Sequence, residues 1–390
     1  MPNKKKFFRV ETILGLGLGL GYLTSLRFTS LIGVPEILIL ITIIFLFMKN
    51  NSVFFLFNRN FENFIKIYIL FALLVQLPVM TLTTSIITDY NSDPIYILSF
   101  IMGGMLTFLL INAVQFREFD FSKVTLFFFF SFVISNLITF IFFPSLIEIY
   151  RYEGGANNPN QLMFYATSLT LLLLIYHKKL SIIGIPIVIW IVLQTKSDAY
   201  FFTLYMTVLF YFLFILFFHS KHKFSIKVIF FLICFIILSF VIINIYSNEL
   251  YEIWFQADEG GGRILLMLNG IDVVKSSPIV GWGAGSFSGF VPFGRGEAHS
   301  TPIDLAMQLG LIFPIILYCI MFVAMFKKLK DKEYLVAAFI LGFIFSGFFH
   351  YTARHFTFWV ELSIFYSYAF HNYLKNDIPT TTQNELYKKL

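Results

Sequence analysis

Val124–Leu146 reads VTLFFFFSFVISNLITFIFFPSL, an apolar run without one charged side chain. About 20 such residues in helical form cross the hydrocarbon of a bilayer. Backbone amides there have no water to bond, so an isolated run of this kind satisfies them as a helix. The stretch therefore predicts a membrane-spanning helix. Working outward from it, comparable runs recur at roughly 10–27, 31–48, 64–83, 95–114, 161–176, 180–194, 199–218, 224–245, 303–326, 334–350 and 356–374. About twelve spans result, of which the seventh is short, with Lys196 and Asp198 close to its end. Losing the seventh and eighth together would leave every other orientation unchanged. The expected fold is all-α, a polytopic transmembrane helix bundle. One integral membrane domain covers 1–374, and a polar tail covers 375–390.

Composition agrees. Of 390 residues, 58% are hydrophobic and 13% charged, with a mean hydropathy of +0.80, and a soluble domain of this size would need far more polar surface. The net charge of +6 does not point to nucleic acid, because the basic residues flank apolar spans, where they set topology. Cys234 and Cys319 both fall inside spans, so neither a disulfide nor a metal site is expected. Met1–Arg9 is basic and is followed by no small-residue cleavage site, which predicts an uncleaved first span.

Lysine and arginine placement gives the orientation. With the N-terminus inside, twenty-one of the 28 fall on the cytoplasmic side and both termini are cytoplasmic. The seven exceptions are Arg27, Arg151, Lys196, Arg263, Lys275, Arg295 and Arg354. Arg27, in a tight turn, reads as a snorkelling side chain. The rest gather in outer loops, which folded together would make a positively charged outer cavity.

The longest outer loop, roughly 246–302, interrupts the pattern of spans. Ile264, Met267, Leu268, Ile271 and Val274 repeat at helical spacing, with Asn269, Asp272 and Ser276 on the other face. This predicts an amphipathic helix lying at the interface. Pro278 ends it. Gly281, Gly283 and Gly285 then allow a tight turn close to a bulky ligand or to another helix, and Trp282 suits the interface level.

Several residues in these loops carry possible chemistry. His299 follows the glycine-rich turn and immediately precedes a span. An outer-face histidine is often only a hydrogen-bonded structural residue, but an unperturbed pKa of roughly 6.5 suits a general base. His350 and His355 share that face. Arginine binds phosphate through a planar fork and stays charged. Arg151, Arg263, Arg295 and Arg354, with Lys196, would suit a diphosphate; singly, each reads equally as a lipid headgroup anchor. Asn158, Pro159 and Asn160 could cap the next helix. No Walker loop, zinc-type histidine pair or Asp-rich cluster is present, so metal-free chemistry without a cofactor is expected.

Three elements together resemble the O-antigen polymerase and O-antigen ligase superfamily of bacterial membrane glycosyltransferases. The first is Arg151 with Gly154-Gly155 and Asn158-Pro159-Asn160. The second is Gly262-Arg263 with the helix leading to Ser277-Pro278-Ile279-Val280-Gly281-Trp282-Gly283. The third is Ala298-His299-Ser300 before a span containing Gly310. Two positions depart from the family pattern: Ser300 stands where asparagine is usual, and Lys196 where arginine is common.

The resemblance implies a bacterial inner membrane protein with its active site facing the periplasm. The donor it implies is a glycan on undecaprenyl diphosphate, attacked at its anomeric carbon by an acceptor hydroxyl, with inversion. His299, Arg263 and Arg151 would be catalytic. Arg354, Arg295, Lys196, Asn158, Asn160, Gly281 and Gly283 would bind substrate. Membrane lipids and a chain-length regulator are the further partners implied. A polymerase is favoured by the Asn-Pro-Asn run and the His-Ser pair. A ligase acting on lipid A-core is the alternative, and a flippase for the same lipid is the contrasting class. A non-enzymatic assembly protein would not need the arginine and histidine set.

Overall fold

The computed structural model describes residues 10–23, 26, 28, 32–49, 60–87, 94–115, 119–142, 152, 159–195, 198–219, 260–289 and 291–377. Among them the regular structure is helical, with no strand. The helices in chain order are α1 Val10–Leu20, α2 Val34–Lys49, α3 Asn60–Phe71, α4 Leu77–Ile87, α5 Pro94–Gln115, α6 Phe121–Phe142 and α7 Pro159–Tyr176. There follow α8 Lys178–Leu193, α9 Asp198–Phe214, α10 Gly260–Ser276, α11 Thr301–Leu309, α12 Ile312–Lys330, α13 Tyr334–Phe349 and α14 Phe356–Asp377. A π-helical turn, Ala72–Gln76, joins α3 to α4 without a break. The predicted ninth span at 224–245 and the end of the tail, from 378, lie outside the described residues.

Five stretches are long and apolar enough to cross a membrane: Phe64–Ile86, Ile97–Val114, Phe121–Phe142, Tyr200–Phe218 and Ile312–Lys330. Val10–Leu20, Val34–Met48, Asn160–Tyr176 and Tyr334–Phe349 are shorter apolar helices. Local sequence explains several ends. Pro94 and Pro159 open α5 and α7, at positions where a missing N–H costs nothing. The carboxylate of Asp120 accepts the Ser122 N–H at 3.0 Å just ahead of α6. Lys327, Lys328 and Lys330 close α12, where cations suit the helix dipole.

Small residues set the closest packing, as expected where apolar burial alone does not drive helices together. Gly15 and Gly19, one turn apart on α1, face Val124, Phe127, Phe128 and Ser131 of α6, and a β-carbon at either would collide with them. Just beyond α1, the Tyr22 hydroxyl meets Ser135 Oγ at 2.7 Å. In α5, Gly103 makes room for the Trp359 indole of α14, whose N–H donates to the Ala353 carbonyl at 2.8 Å. Helix α14 thus packs between α5, α12 and α7, and α13 lies along α9.

The run expected to span at 303–326 is two helices. Gly310 takes φ +77°, a left-handed value that ends α11, and the apolar helix restarts at Ile312. Short α11 belongs to the loop layer together with α10. These two helices share a small core of Val273, Val274, Phe287, Ala298, Ala306 and Met307, separate from the main bundle core.

Helix α10 forms where an amphipathic helix was expected, but its faces differ. Asn269, expected on the polar side, is buried and donates its amide to the Gly289 carbonyl at 2.6 Å. Val274 is buried as well, beside Val273. Ile264, Leu265, Leu268 and Ile271 form the exposed stripe. The inward face is chosen by fit against α11, and apolarity alone did not reveal it.

Candidate functional site

The segment Ser277–Ala284 crosses the C-terminal end of α11 and supplies the partners its last carbonyls lack. The Trp282 and Gly283 amides donate to Met307 O at 2.7 Å and Gln308 O at 3.0 Å. Gln76, at the end of the π turn, donates to Leu309 O at 2.8 Å and to Val280 O at 2.9 Å. Thr84 Oγ1 donates to Trp282 O at 2.6 Å, and Ala284 N–H donates to Thr81 Oγ1 at 2.7 Å. Gly281 and Gly283 take φ +70° and +86°, the first against the backbone of Gln308 and Leu309, the second against that of Met80 and Thr81. Of the two uses left open for these glycines, the geometry shows close approach to a helix. Gly285 has no such backbone value.

Beyond this strap the chain reaches Glu297-Ala298-His299-Ser300 and enters α11. His299 is half-buried and holds φ +53°, a left-handed value unusual for a residue with a β-carbon. Asp304, one turn into α11, is buried. Its Oδ1 accepts the Ala298 N–H at 2.9 Å and its Oδ2 accepts the Ser300 N–H at 3.0 Å. Burial and the nearby Glu297 push the Asp304 carboxyl well above the usual carboxylate range, against the pull of these two amides and of Arg354.

A second loop, between α13 and α14, locks onto the first. The Thr301 N–H donates to the His350 carbonyl at 3.0 Å, and the Thr301 hydroxyl donates there at 2.6 Å. The same hydroxyl accepts the Thr352 N–H at 2.9 Å. Arg354 pairs with Glu297 through its Nη1, and its Nε lies 3.4 Å from His355 Nε2. The ring of Phe164, from α7, lies 5.6 Å from that of His350 and 5.0 Å from that of His355. His350 is buried just past the end of α13. Burial first, then the charges of Arg263 and His299, push its pKa down to about 3. That electrostatic reach ties Arg263, in the first turn of α10, to the same place as His299 and His350.

The structure therefore brings together Arg263, His299 and Arg354 of the predicted set, with His350 and His355 beside them. Arg295 lies in the same loop as His299 and is exposed, and Asn160 sits half-buried in the first turn of α7. Arg151, Lys196, Asn158 and Arg27 lie outside the described residues. Among the described residues no group of three or more His, Cys, Asp or Glu side chains is gathered as a metal ion would require.

Sequence reasoning passed over Asp304, Thr301 and Gln76. Asp304 begins an apolar run, where one acid reads as a tolerated exception. Its partners are backbone amides, which leave no residue signature; an acid four residues after Ser300 is the one hint, since it resembles a displaced capping box. Glu361, the clearest internal charge in the sequence, is buried in α14, and neither of its carboxylate oxygens has a hydrogen-bond partner among the described residues. No family model matches the chain, and no characterised protein matches it in sequence.

Proposed function

We propose that this chain is a polytopic membrane glycosyltransferase, a surface polysaccharide polymerase of the O-antigen type. In this reading about twelve spans place both termini in the cytoplasm and the loop layer in the periplasm of a bacterial inner membrane. One observation carries the proposal: Arg263, His299, His350 and Arg354 come from three segments far apart in sequence and meet in one loop layer above apolar helices. A base beside fixed cations suits attack by a hydroxyl on a carbon that bears a diphosphate leaving group.

His299 accepts the proton of the acceptor hydroxyl as its oxygen bonds to the anomeric carbon. The bond from that carbon to the diphosphate oxygen breaks on the opposite face, which inverts the configuration. Undecaprenyl diphosphate leaves with the bonding pair. Arg263 and Arg151 counter its charge, and Arg354 and Arg295 add to the positive field. No divalent ion has a role in this scheme.

The test uses purified protein in detergent with an undecaprenyl-diphosphate-linked repeat unit as both donor and acceptor. Wild type should lengthen the glycan and release undecaprenyl diphosphate, with EDTA present. His299→Ala should lose about 100- to 10,000-fold. Arg263→Lys should be strongly impaired, because an ammonium does not reproduce the bidentate fork. Transfer to lipid A-core in place of a second repeat unit would make the chain a ligase. No transfer to either acceptor would overturn the enzymatic reading, and activity restored only by magnesium would overturn its metal-free form.

A further inference from the structure

We propose that Asp304 is the positioning residue of this site, fixing His299 by gripping the backbone on both sides of it. The inference rests on the reading of His299 as the base but adds a residue and a mechanism to it. A histidine on a flexible loop would place its ring anywhere; a catalytic base needs one geometry. The chain meets that need in an unusual way. His299 holds φ +53°, where a β-carbon crowds the backbone, so this conformation needs support from its surroundings.

The support is visible. Asp304 Oδ1 accepts from Ala298 and Oδ2 from Ser300, so the two bonds bracket His299 without touching its side chain. Helix capping explains only half of this. Ser300 is the N-cap residue of α11 and makes no side-chain cap bond of its own, so an acid reaching back to the Ser300 amide is a recognisable capping contact. The bond to Ala298 lies two residues outside the helix. It contributes nothing to the helix and closes the turn that carries His299. Thr301 then anchors the far side of the bracket to the His350 carbonyl, so that the turn is held relative to the neighbouring loop.

Asp304→Asn is the informative change. The amide keeps the size but has a single acceptor oxygen, so it satisfies at most one of the two N–H groups and turns a donor toward the other. In the transfer assay, kcat should fall by about 10- to 100-fold, with KM within about twofold. In a His299→Ala background the same change should cost little more, because positioning matters only while the base is present. Equal losses in both backgrounds would overturn the proposal and make Asp304 a purely structural cap.

A second readout does not depend on activity. Diethyl pyrocarbonate modifies accessible imidazoles, and mass spectrometry gives the rate at each histidine. Asp304→Asn should change the His299 rate by about threefold or more while His177, bonded to Ser122 at the far end of α7, serves as an unchanged reference. An unaltered His299 rate would overturn the positioning role. An altered rate in a protein that transfers no glycan would retain the positioning role and reject the enzymatic reading. If the asparagine variant does not fold, Asp304→Glu supplies the same comparison, since it keeps the carboxylate and displaces both oxygens by one methylene.

Discussion

Arg354 and Glu297 form an ion pair that joins the loop after α13 to the loop before α11, with both side chains largely withdrawn from solvent. Glu297 thereby occupies a cation that the proposed chemistry assigns to a diphosphate. Glu297→Gln should lower the melting temperature in detergent, since Arg354 keeps its charge and loses its counter-charge. It should also raise affinity for inorganic pyrophosphate, by about threefold or more, because the competing carboxylate is gone. Calorimetric titration of both proteins checks this. Weaker pyrophosphate binding in the variant would mean that Glu297 orients Arg354 for the ligand and does not compete with it.

His350 predicts an acid-sensitive fold. Its folded pKa is pushed down to about 3 from an unfolded value near 6.5. Between these values the unfolded chain binds a proton that the folded chain refuses. The stability this group contributes is therefore complete above about 6.5 and is lost progressively as pH falls toward about 3. Melting curves from pH 8 down to 4 should show the decline, and His350→Gln should flatten it. An unchanged acid limb in the variant would assign the decline to other groups.

Gly281→Ala and Gly283→Ala should each destabilise the protein. Positive φ alone costs about 1–2 kcal/mol for a residue with a β-carbon, and that carbon would also strike the backbone of Gln308 or Thr81. A fall of several degrees in melting temperature is expected for both. Loss of transfer at wild-type melting temperature would instead make these glycines ligand contacts.

Single cysteines at Arg263 and His299 should react with a membrane-impermeant thiol reagent from outside intact cells. The positive-inside arrangement puts the loop layer there. Cys319 is the one native thiol to remove among the described residues. Labelling only after access from the cytoplasmic side would invert the topology and defeat the proposed reaction.

The bundle was legible because apolar runs are long and lysines mark their ends: the run 124–146 became α6, shifted by a few residues at each boundary. The break at Gly310 was not, since a hydropathy window averages over one left-handed glycine. The grouping of Arg263, His299 and Arg354 followed from reading arginine and histidine on one face. Asp304 stayed hidden because its partners are peptide N–H groups, which every residue but proline carries. Asn269 was misplaced for a similar reason: its burial depends on one carbonyl, Gly289 O, twenty residues along the chain.

The π turn Ala72–Gln76 makes the stretch from α3 to α4 sensitive to length. A π turn holds one residue more than an α turn, and each residue in a helix rotates the next by about 100°. Removing one residue from Ala72–Gln76 would relax it to regular helix and swing α4 about its own axis by that angle. Thr81 and Thr84 would then face away from Ala284 and Trp282, and the strap across α11 would come unhooked. The hydropathy profile of the stretch would hardly change. A deletion invisible to any count of spans would disconnect the membrane bundle from the layer that carries His299.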